Sequence, residues 1–204
     1  MSKYPIFVFE GIEGTGKSTQ IKSISAYLKK KRVPFIILRE PGGSKNSEKI
    51  RKILLSKKSN FNPITDLLLY LASRSENIEK IINKNLNKKI ILIDRFVYST
   101  LAYQHYGMGI NLKLIKYLNK LIIKKIKIKH IFLHTVDKKN LFLRLNNRKN
   151  KNRYDNFKYS FYDKVQKGFL KMLKNKNNVT IIDTRKSQTD NTKEILTIIN
   201  KYIQ

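Results

Sequence analysis

The chain has 204 residues, no cysteine, and a formal net charge of +30 from 44 lysines and arginines against 14 acidic residues. This length predicts a single globular domain spanning residues 1–204. The lack of cysteine excludes a disulfide framework and a thiolate metal site, and it suits a reducing cytosol. The opening MSKYPIFVFEG lacks a long apolar targeting core, and no apolar run approaches the roughly 20 residues of a membrane span. We therefore expect a cytoplasmic protein with no membrane partner.

The high positive charge invites an interpretation as a nucleic-acid-binding protein. The lysines are nevertheless spread along the whole chain with abundant Asn and Ile, as expected when codons drift toward A and T. In LKLIKYLNKLIIKKI (112–126), apolar residues recur at helical spacing at Leu114, Leu118, Leu121 and Ile122. Lysines form the opposite stripe, which predicts an amphipathic helix with a lysine-rich solvent face. We therefore expect no stable nucleic-acid partner.

Apolar runs of strand length alternate with longer segments of helical period, which predicts a parallel sheet with crossover helices. The predicted strands are 6–9, 34–38, 90–94, 130–135 and 179–183. Several are apolar at consecutive positions, as expected of strands covered on both faces. The predicted helices are 17–30, 46–56, 63–85, 111–125, 138–147, 158–175 and 189–202. The pattern indicates a three-layer α/β fold with a five-stranded parallel sheet, and the polar segment 146–156 predicts a mobile loop.

A phosphate-binding pattern follows the first predicted strand. Gly11, Gly16, Lys17 and Ser18 fit G-x-x-x-x-G-K-[ST], with a strand before them and a helix after them. In such a loop, main-chain N–H groups and the lysine hold phosphates, and the serine hydroxyl is a ligand of Mg²⁺. The expected nucleotide-binding residues are Gly11, Ile12, Glu13, Gly14, Thr15, Gly16, Lys17, Ser18 and Thr19. The alternative is a glycine-rich turn without a ligand, and the absence of an N-K-x-D sequence disfavours a GTPase.

A second polar cluster lies in LIDRFVYSTLAYQ (92–104), at the end of the third predicted strand. Asp94 ends that strand beside the phosphate loop, where a carboxylate is placed to hold Mg²⁺. Arg95 offers a bidentate fork for the phosphate of an acceptor substrate. A strand-end salt bridge between Asp94 and Arg95 explains the two residues alone equally well.

Together these segments resemble the thymidylate kinases, which phosphorylate dTMP to dTDP. EGIEGTGKST, REPGG (39–43), the helix with Tyr70 and Arg74, DRFVYSTLAYQ and an arginine-bearing lid near 144–156 follow that family's order and spacing. The resemblance implies a P-loop fold of the nucleoside monophosphate kinase type, ATP as phosphoryl donor, Mg²⁺ as cofactor and a homodimer. A kinase for another nucleoside or nucleotide is the nearest alternative. A basic ATP-binding protein that acts on nucleic acid is the alternative from a different class.

The resemblance also implies contacts with dTMP. Tyr70 and Arg74 share one helix face, so the ring is expected to stack on thymine while the guanidinium bonds its edge; Tyr70 as a core aromatic is the alternative. The other expected substrate contacts are Glu13, Arg39, Arg95, Ser99, Thr100, Tyr103 and Gln104. Glu13 is expected to accept a hydrogen bond from the sugar 3′-hydroxyl or else to shape its loop. Arg39 either approaches the acceptor phosphate or pairs with Glu40.

Phosphoryl transfer needs positive charge around the transferring group. Some thymidylate kinases place an arginine in the phosphate loop, at the position that Gly14 occupies here. The resemblance therefore assigns the catalytic arginine to the lid, first to Arg148 and second to Arg153, beside Lys17 and Arg95.

Arginine usage supports this assignment. The chain has nine arginines against 35 lysines, yet five fall in the expected site: Arg39, Arg74, Arg95, Arg148 and Arg153. In a lysine-prone sequence an arginine indicates a need for planar, bidentate geometry. The chain departs from the family pattern at Asn146, where relatives often carry arginine, and at Thr135, where they often carry aspartate. A further arginine, at 144, is predicted to lie on the helix before the lid.

Overall fold

The computed structural model describes residues 4–124, 126–148 and 151–203. Its centre is a sheet of five parallel strands in the order β2-β3-β1-β4-β5. The strands are β1 (Ile6–Glu10), β2 (Phe35–Arg39), β3 (Ile90–Asp94), β4 (His130–Thr135) and β5 (Val179–Asp183). The five strands predicted from the sequence are confirmed, with ends that differ by at most one residue.

The helices are α1 (Lys17–Lys30), α2 (Lys45–Leu55), α3 (Pro63–Asn77), α4 (Asn83–Asn85), α5 (Val97–Thr100), α6 (Leu112–Ile123), α7 (Lys138–Asn146), α8 (Tyr159–Leu173) and α9 (Gln188–Asn200). Two π-helical segments, Ile78–Ile82 and Leu101–Gly107, continue α3 and α5. A 3₁₀ turn, Arg153–Asn156, lies between α7 and α8 and is called the lid turn below. Side chains that accept a main-chain N–H begin five of the helices: Ser44, Asn62, Asn111, Asp137 and Ser187.

Both faces of the sheet are covered. Along β1, Ile6 and Val8 belong to a core beneath α8, whereas Phe7 and Phe9 belong to a second core with residues of α1 and α9. Every residue of β1 is buried. This burial explains why the strands are apolar at consecutive positions, and it confirms the three-layer α/β fold.

Three predicted segments differ from the structure. The helix expected over 63–85 is interrupted by the π turn at Ile78–Ile82, and a helical segment over 97–107 was missing from the prediction. A π turn needs one extra residue per turn, so the 3.6-residue pattern does not predict it. The expected loop 146–156 contains the lid turn, in which Tyr154 is buried as an apolar anchor. Residues 149 and 150 of that loop, and residue 125 at the expected end of α6, lie outside the described residues.

The expected apolar stripe of α6 is buried only in part. Leu118 and Ile122 pack against the core beside the buried Ile115, whereas Leu114 is 40% and Leu121 54% exposed. Apolar residues cover more than half of the helix, so the sequence pattern alone did not show which of them face the core. Among the described residues, no helix has both the length and the apolarity to cross a lipid bilayer.

Candidate active site

A cavity of about 740 Å³ opens at the carboxyl ends of the strands. This is the edge at which parallel α/β sheets bind ligands, and the volume suits a small-molecule site. Its lining includes eight basic side chains: Lys17, Arg39, Arg51, Arg74, Arg95, Arg144, Arg148 and Lys186. The acidic ones are Glu13, Glu40 and Asp94. This excess of positive charge favours a polyanionic ligand.

The loop between β1 and α1 has the backbone that its glycines require. Gly14 and Gly16 have φ of 67° and 74°, and a side chain at Gly11 would collide with the main-chain oxygen of His134. The Lys17 amine donates to the carbonyl oxygens of Gly11 at 3.0 Å and Ile12 at 2.6 Å. Burial, with the charge of Arg95 acting in the same direction, lowers the pKa of Lys17 to about 7. The lysine is therefore folded back on its own loop and poised to regain charge when an anion arrives.

Two oxygen groups meet at the mouth of this loop. The Ser18 hydroxyl donates to Asp94 Oδ2 at 2.8 Å, which joins the start of α1 to the end of β3. A hydroxyl beside a carboxylate is the small protein donor set that suits Mg²⁺, which takes its remaining ligands from phosphates and water. The residues present therefore fit a magnesium ion at the predicted position.

Glu13, Arg95 and Tyr103 form one connected group. Arg95 adopts a left-handed backbone (φ 68°) directly after β3, and its guanidinium donates to Gly11 O at 2.8 Å and Glu13 Oε1 at 2.9 Å. The Tyr103 hydroxyl donates to the other Glu13 oxygen, and its ring lies 5.2 Å from the Arg95 guanidinium. Burial alone would lower the pKa of Arg95, but Tyr103, Glu13 and Asp94 raise it, so the guanidinium stays charged. The carboxylate in the phosphate loop therefore faces the acceptor segment.

Ser99 lies next to the group formed by Glu13, Arg95 and Tyr103. Its hydroxyl donates to Glu10 Oε2 at 2.5 Å, and Glu10 also accepts the main-chain N–H groups of Phe96 and Ser99. Burial raises the pKa of Glu10 despite these donors. The sequence analysis missed Glu10, although a carboxylate inside the apolar run IFVFE is a visible signal. Glu10 therefore orients the acceptor segment through these three hydrogen bonds.

The expected base-binding residues lie in the wall of the same cavity. Tyr70, Arg74, Thr100 and Gln104 all line it. The Thr100 hydroxyl is buried and has no hydrogen-bond partner within the described residues, so it is available to a ligand. Burial raises the pKa of Tyr70 to about 12, which keeps its hydroxyl neutral. Tyr70 is thus a cavity-wall aromatic, not a member of the fully buried core.

Arg74 is held more firmly than the sequence suggested. It is 1% exposed, and its guanidinium donates to Glu40 Oε2 at 2.8 Å, Asn119 Oδ1 at 2.5 Å and Phe96 O at 2.9 Å. Each terminal nitrogen carries two hydrogens, so one N–H remains on each after these bonds. The arginine is therefore a fixed donor at the cavity wall.

Arg39 does not pair with Glu40, the protein partner considered above. Its guanidinium donates to both oxygens of Glu48 at 3.1 Å, because Glu40 is occupied by Arg74. Its side chain is 55% exposed at the cavity rim. Sequence analysis also missed Arg51, which lines the cavity and donates to Pro41 O at 2.5 Å. Its place on α2 one turn beyond Glu48 was the available signal.

The two lid arginines occupy different places. Arg148 lines the cavity, is 39% exposed along its side chain, and forms an ion pair with Asp155 at 2.5 Å. Arg153 does not line it: its guanidinium forms an ion pair with buried Asp66 and lies over the Tyr154 ring. The structure therefore does not bring Arg153 to the site as the second catalytic arginine.

Arg144 braces the phosphate loop from α7. It donates to Gly14 O at 2.9 Å and to Thr184 Oγ1 and O at 3.0 and 2.9 Å. A Cβ at Gly14 would lie 3.4 Å from the Arg144 Cβ. The positive φ of Gly14 favours glycine at this position, whereas the contact with Arg144 is an ordinary van der Waals distance.

The whole chain is similar to proteins of one family. The family model described as thymidylate kinase matches residues 9–195. Thymidylate kinase from Wolbachia sp. subsp. Brugia malayi is 38% identical over 95% of this chain and 93% of its own. The enzyme from Thermosipho africanus is 38% identical over 96% and 98%, respectively. A crystal structure of thymidylate kinase from Ehrlichia chaffeensis, 31% identical, superposes with a TM-score of 0.77 over 96% of this chain and 98% of that chain. The chain therefore belongs to the thymidylate kinase family.

Proposed function

We propose that the protein transfers the terminal phosphoryl group of ATP to dTMP, giving dTDP for dTTP synthesis, with Mg²⁺ as cofactor. One observation carries the proposal: the phosphate loop and the acceptor segment share a single cavity and are joined directly through Glu13 and Arg95. A protein that only hydrolysed ATP would not need an acceptor segment in the same cavity as the phosphate loop. Family membership supports the same donor and acceptor.

The acceptor needs no general base. A phosphate monoester has a second pKa near 6, so dTMP already carries an anionic oxygen at neutral pH. The remaining task is to align two anions and neutralise charge on the transferring group. Arg95 holds the acceptor phosphate, and Lys17 turns from its loop carbonyls to the outer phosphates of ATP.

Arg148 supplies the remaining positive charge from the lid, as in the subclass without an arginine in the phosphate loop. It leaves Asp155 and reaches the transferring group. Ser18 and Asp94 would hold Mg²⁺, which would neutralise phosphate charge. Every other contribution comes from side chains that the fold already aims at the cavity.

Glu13 and Tyr103 select the sugar. The Glu13 carboxylate accepts a hydrogen bond from the 3′-hydroxyl of dTMP, and Tyr103 closes the space that a ribose 2′-hydroxyl would need. Tyr70 stacks on the thymine ring, and Arg74 with Thr100 addresses its polar edge. The contact between Glu13 and Tyr103 supports this shared role.

We also propose a single cytoplasmic domain that forms a homodimer. The large apolar side chains that α3 and α6 expose, called the apolar patch below, support dimerisation because these two helices pack against each other. The patch consists of Ile64, Leu68, Leu114, Tyr117 and Leu121. Apolar surface of this kind commonly marks a protein interface.

A coupled assay for ADP tests the activity. We expect ADP production with dTMP, weaker production with dUMP because one methyl group separates the bases, and little with dCMP, AMP, thymidine or the ribose nucleotide UMP. If no dTMP-dependent ADP forms, the proposed acceptor is wrong, and only the assignment as an ATP-binding protein remains.

A further inference from the structure

Asp66 is a buried carboxylate that the mechanism above does not use. It lies on the first turn of α3 and is 1% exposed. Its Oδ2 accepts hydrogen bonds from Gln104 Nε2 at 3.3 Å and the Tyr154 hydroxyl at 2.6 Å, and its Oδ1 pairs with Arg153. The carboxylate thus joins α3, the π segment Leu101–Gly107 and the lid turn.

The chemistry of a carboxylate fixes how Gln104 is oriented. Ionised Asp66 only accepts hydrogen bonds, and three donors converge on it, so Gln104 must turn its amide nitrogen toward Asp66. Gln104 lines the cavity, and its amide oxygen is the group that remains to face a ligand there. We propose that Asp66 is a positioning residue that presents the Gln104 oxygen as an acceptor for a pyrimidine N3–H, and so sets the base selectivity of the enzyme.

This inference rests on the proposed function and adds the means by which the acceptor base is selected. Thymine and uracil carry a hydrogen on N3, whereas cytosine has a bare acceptor nitrogen there. An oxygen held opposite N3 therefore accepts a hydrogen bond from thymine or uracil. With cytosine, two acceptors face each other and no hydrogen bond forms. A buried pair of unpaired acceptors costs about 1–3 kcal/mol. Arg74, which only donates, opposes the cytosine amino group in the same way.

The same carboxylate brings the lid turn to the base compartment. The Tyr154 ring lies edge-on to Tyr70 at 6.2 Å and to Tyr103 at 5.8 Å between centroids. Tyr154 is held there by its bond to Asp66 and by the Arg153 ion pair beside it. This arrangement explains why Arg153 does not line the cavity.

Asp66→Asn tests the inference. Asparagine presents both a donor and an acceptor, so the Gln104 amide is free to reverse. We expect the ratio of kcat/KM for dTMP over dCMP to fall about tenfold, which is the loss of one buried hydrogen bond. The ratio for dTMP over dUMP should stay within about twofold, because both bases carry N3–H. An equal loss for all three substrates would reduce Asp66 to a structural residue and overturn the inference.

Two further variants keep the test decisive if Asp66→Asn folds poorly. Gln104→Leu, with Asp66 intact, should lower the dTMP over dCMP ratio by a similar factor, and an unchanged ratio would overturn the inference. Tyr154→Phe removes another donor to Asp66 but keeps the ring, so it should leave the ratio within about twofold. In the Gln104→Leu background, Asp66→Asn should cause no further change in the ratio. A wild-type enzyme inactive on dTMP would contradict the proposed function instead.

Discussion

At the scale of single residues, Arg148 and Arg153 show how neighbouring arginines divide between catalysis and structure. Arg148 faces the cavity, whereas Arg153 is bound to Asp66. Arg148→Lys keeps the charge but loses the planar fork, so we expect kcat to fall by about 100-fold, less than the full loss of an arginine finger. The KM for dTMP should change by less than about threefold. Steady-state kinetics measures both constants.

Arg153→Lys is the matched control for that variant. It should leave kcat within about threefold and lower the melting temperature, because its ion pair is structural and largely buried. Equal losses of kcat in the two variants would contradict the assignment, as would full activity of Arg148→Lys.

The depressed pKa of Lys17 predicts a proton linkage. With a pKa of about 7, the amine of the ligand-free enzyme is mostly neutral at alkaline pH. Bound phosphates favour the charged form, so binding of ATP raises this pKa and takes up a proton at about pH 8.5. Near pH 6 the amine is already charged, and the uptake by Lys17 should vanish. Titration calorimetry in buffers of different ionisation enthalpy measures the number of protons.

Lys17→Arg is the control for the linkage, because a guanidinium keeps its proton at both pH values. Uptake of the same size in this variant would show that another group carries the proton. The sequence motif alone predicted that Lys17 contacts phosphate. Its pKa depends on burial and on Arg95, which come together only in the folded chain.

At the scale of elements, the π segment Leu101–Gly107 and α8 approach each other closely through two glycines. A Cβ at Gly168 would lie 2.5 Å from the Tyr106 ring, and one at Gly107 would lie 2.7 Å from the Phe161 ring. Gly168→Ala gains about 1 kcal/mol of helix propensity but overpacks this contact by about 1–3 kcal/mol. We expect the net free energy of unfolding in urea to fall by about 1 kcal/mol, and by no more than about 2 kcal/mol. Lys164→Ala, on the exposed face of α8, should change it by less than about 0.5 kcal/mol.

The same segment marks the limit of prediction from this sequence. The strands were predicted well because each is a short apolar run between polar segments, and the phosphate loop because its glycines and lysine have fixed spacing. The segment 97–107 was missed because its π turns do not follow the 3.6-residue period. The partners of Arg39 and Arg153 were missed because Glu48 and Asp66 lie on other elements, and spacing along the chain does not encode such pairs.

At the scale of the whole molecule, the apolar patch on α3 and α6 predicts how two copies associate. Leu121, on α6 within the patch, is 54% exposed, and Leu143, on α7 outside it, is 60% exposed. We expect the wild-type protein to sediment at twice the chain mass of 24.1 kDa. Leu121→Glu should yield a monomer, because a charge buried in an apolar interface is desolvated without a partner.

Leu143→Glu adds the same charge at similar exposure and should remain a dimer. The comparison separates a specific interface from the general solubility gained by adding glutamate to a strongly basic protein. A wild-type monomer, or equal masses for the two variants at equilibrium, would contradict the assignment of the patch. Since neither leucine lines the cavity, both variants should keep the dTMP KM of the wild type unless dimerisation itself supports the site. A monomeric Leu121→Glu variant with a raised KM would therefore indicate that packing of α3 across the interface stabilises the base compartment, which α3 forms through Tyr70 and Arg74.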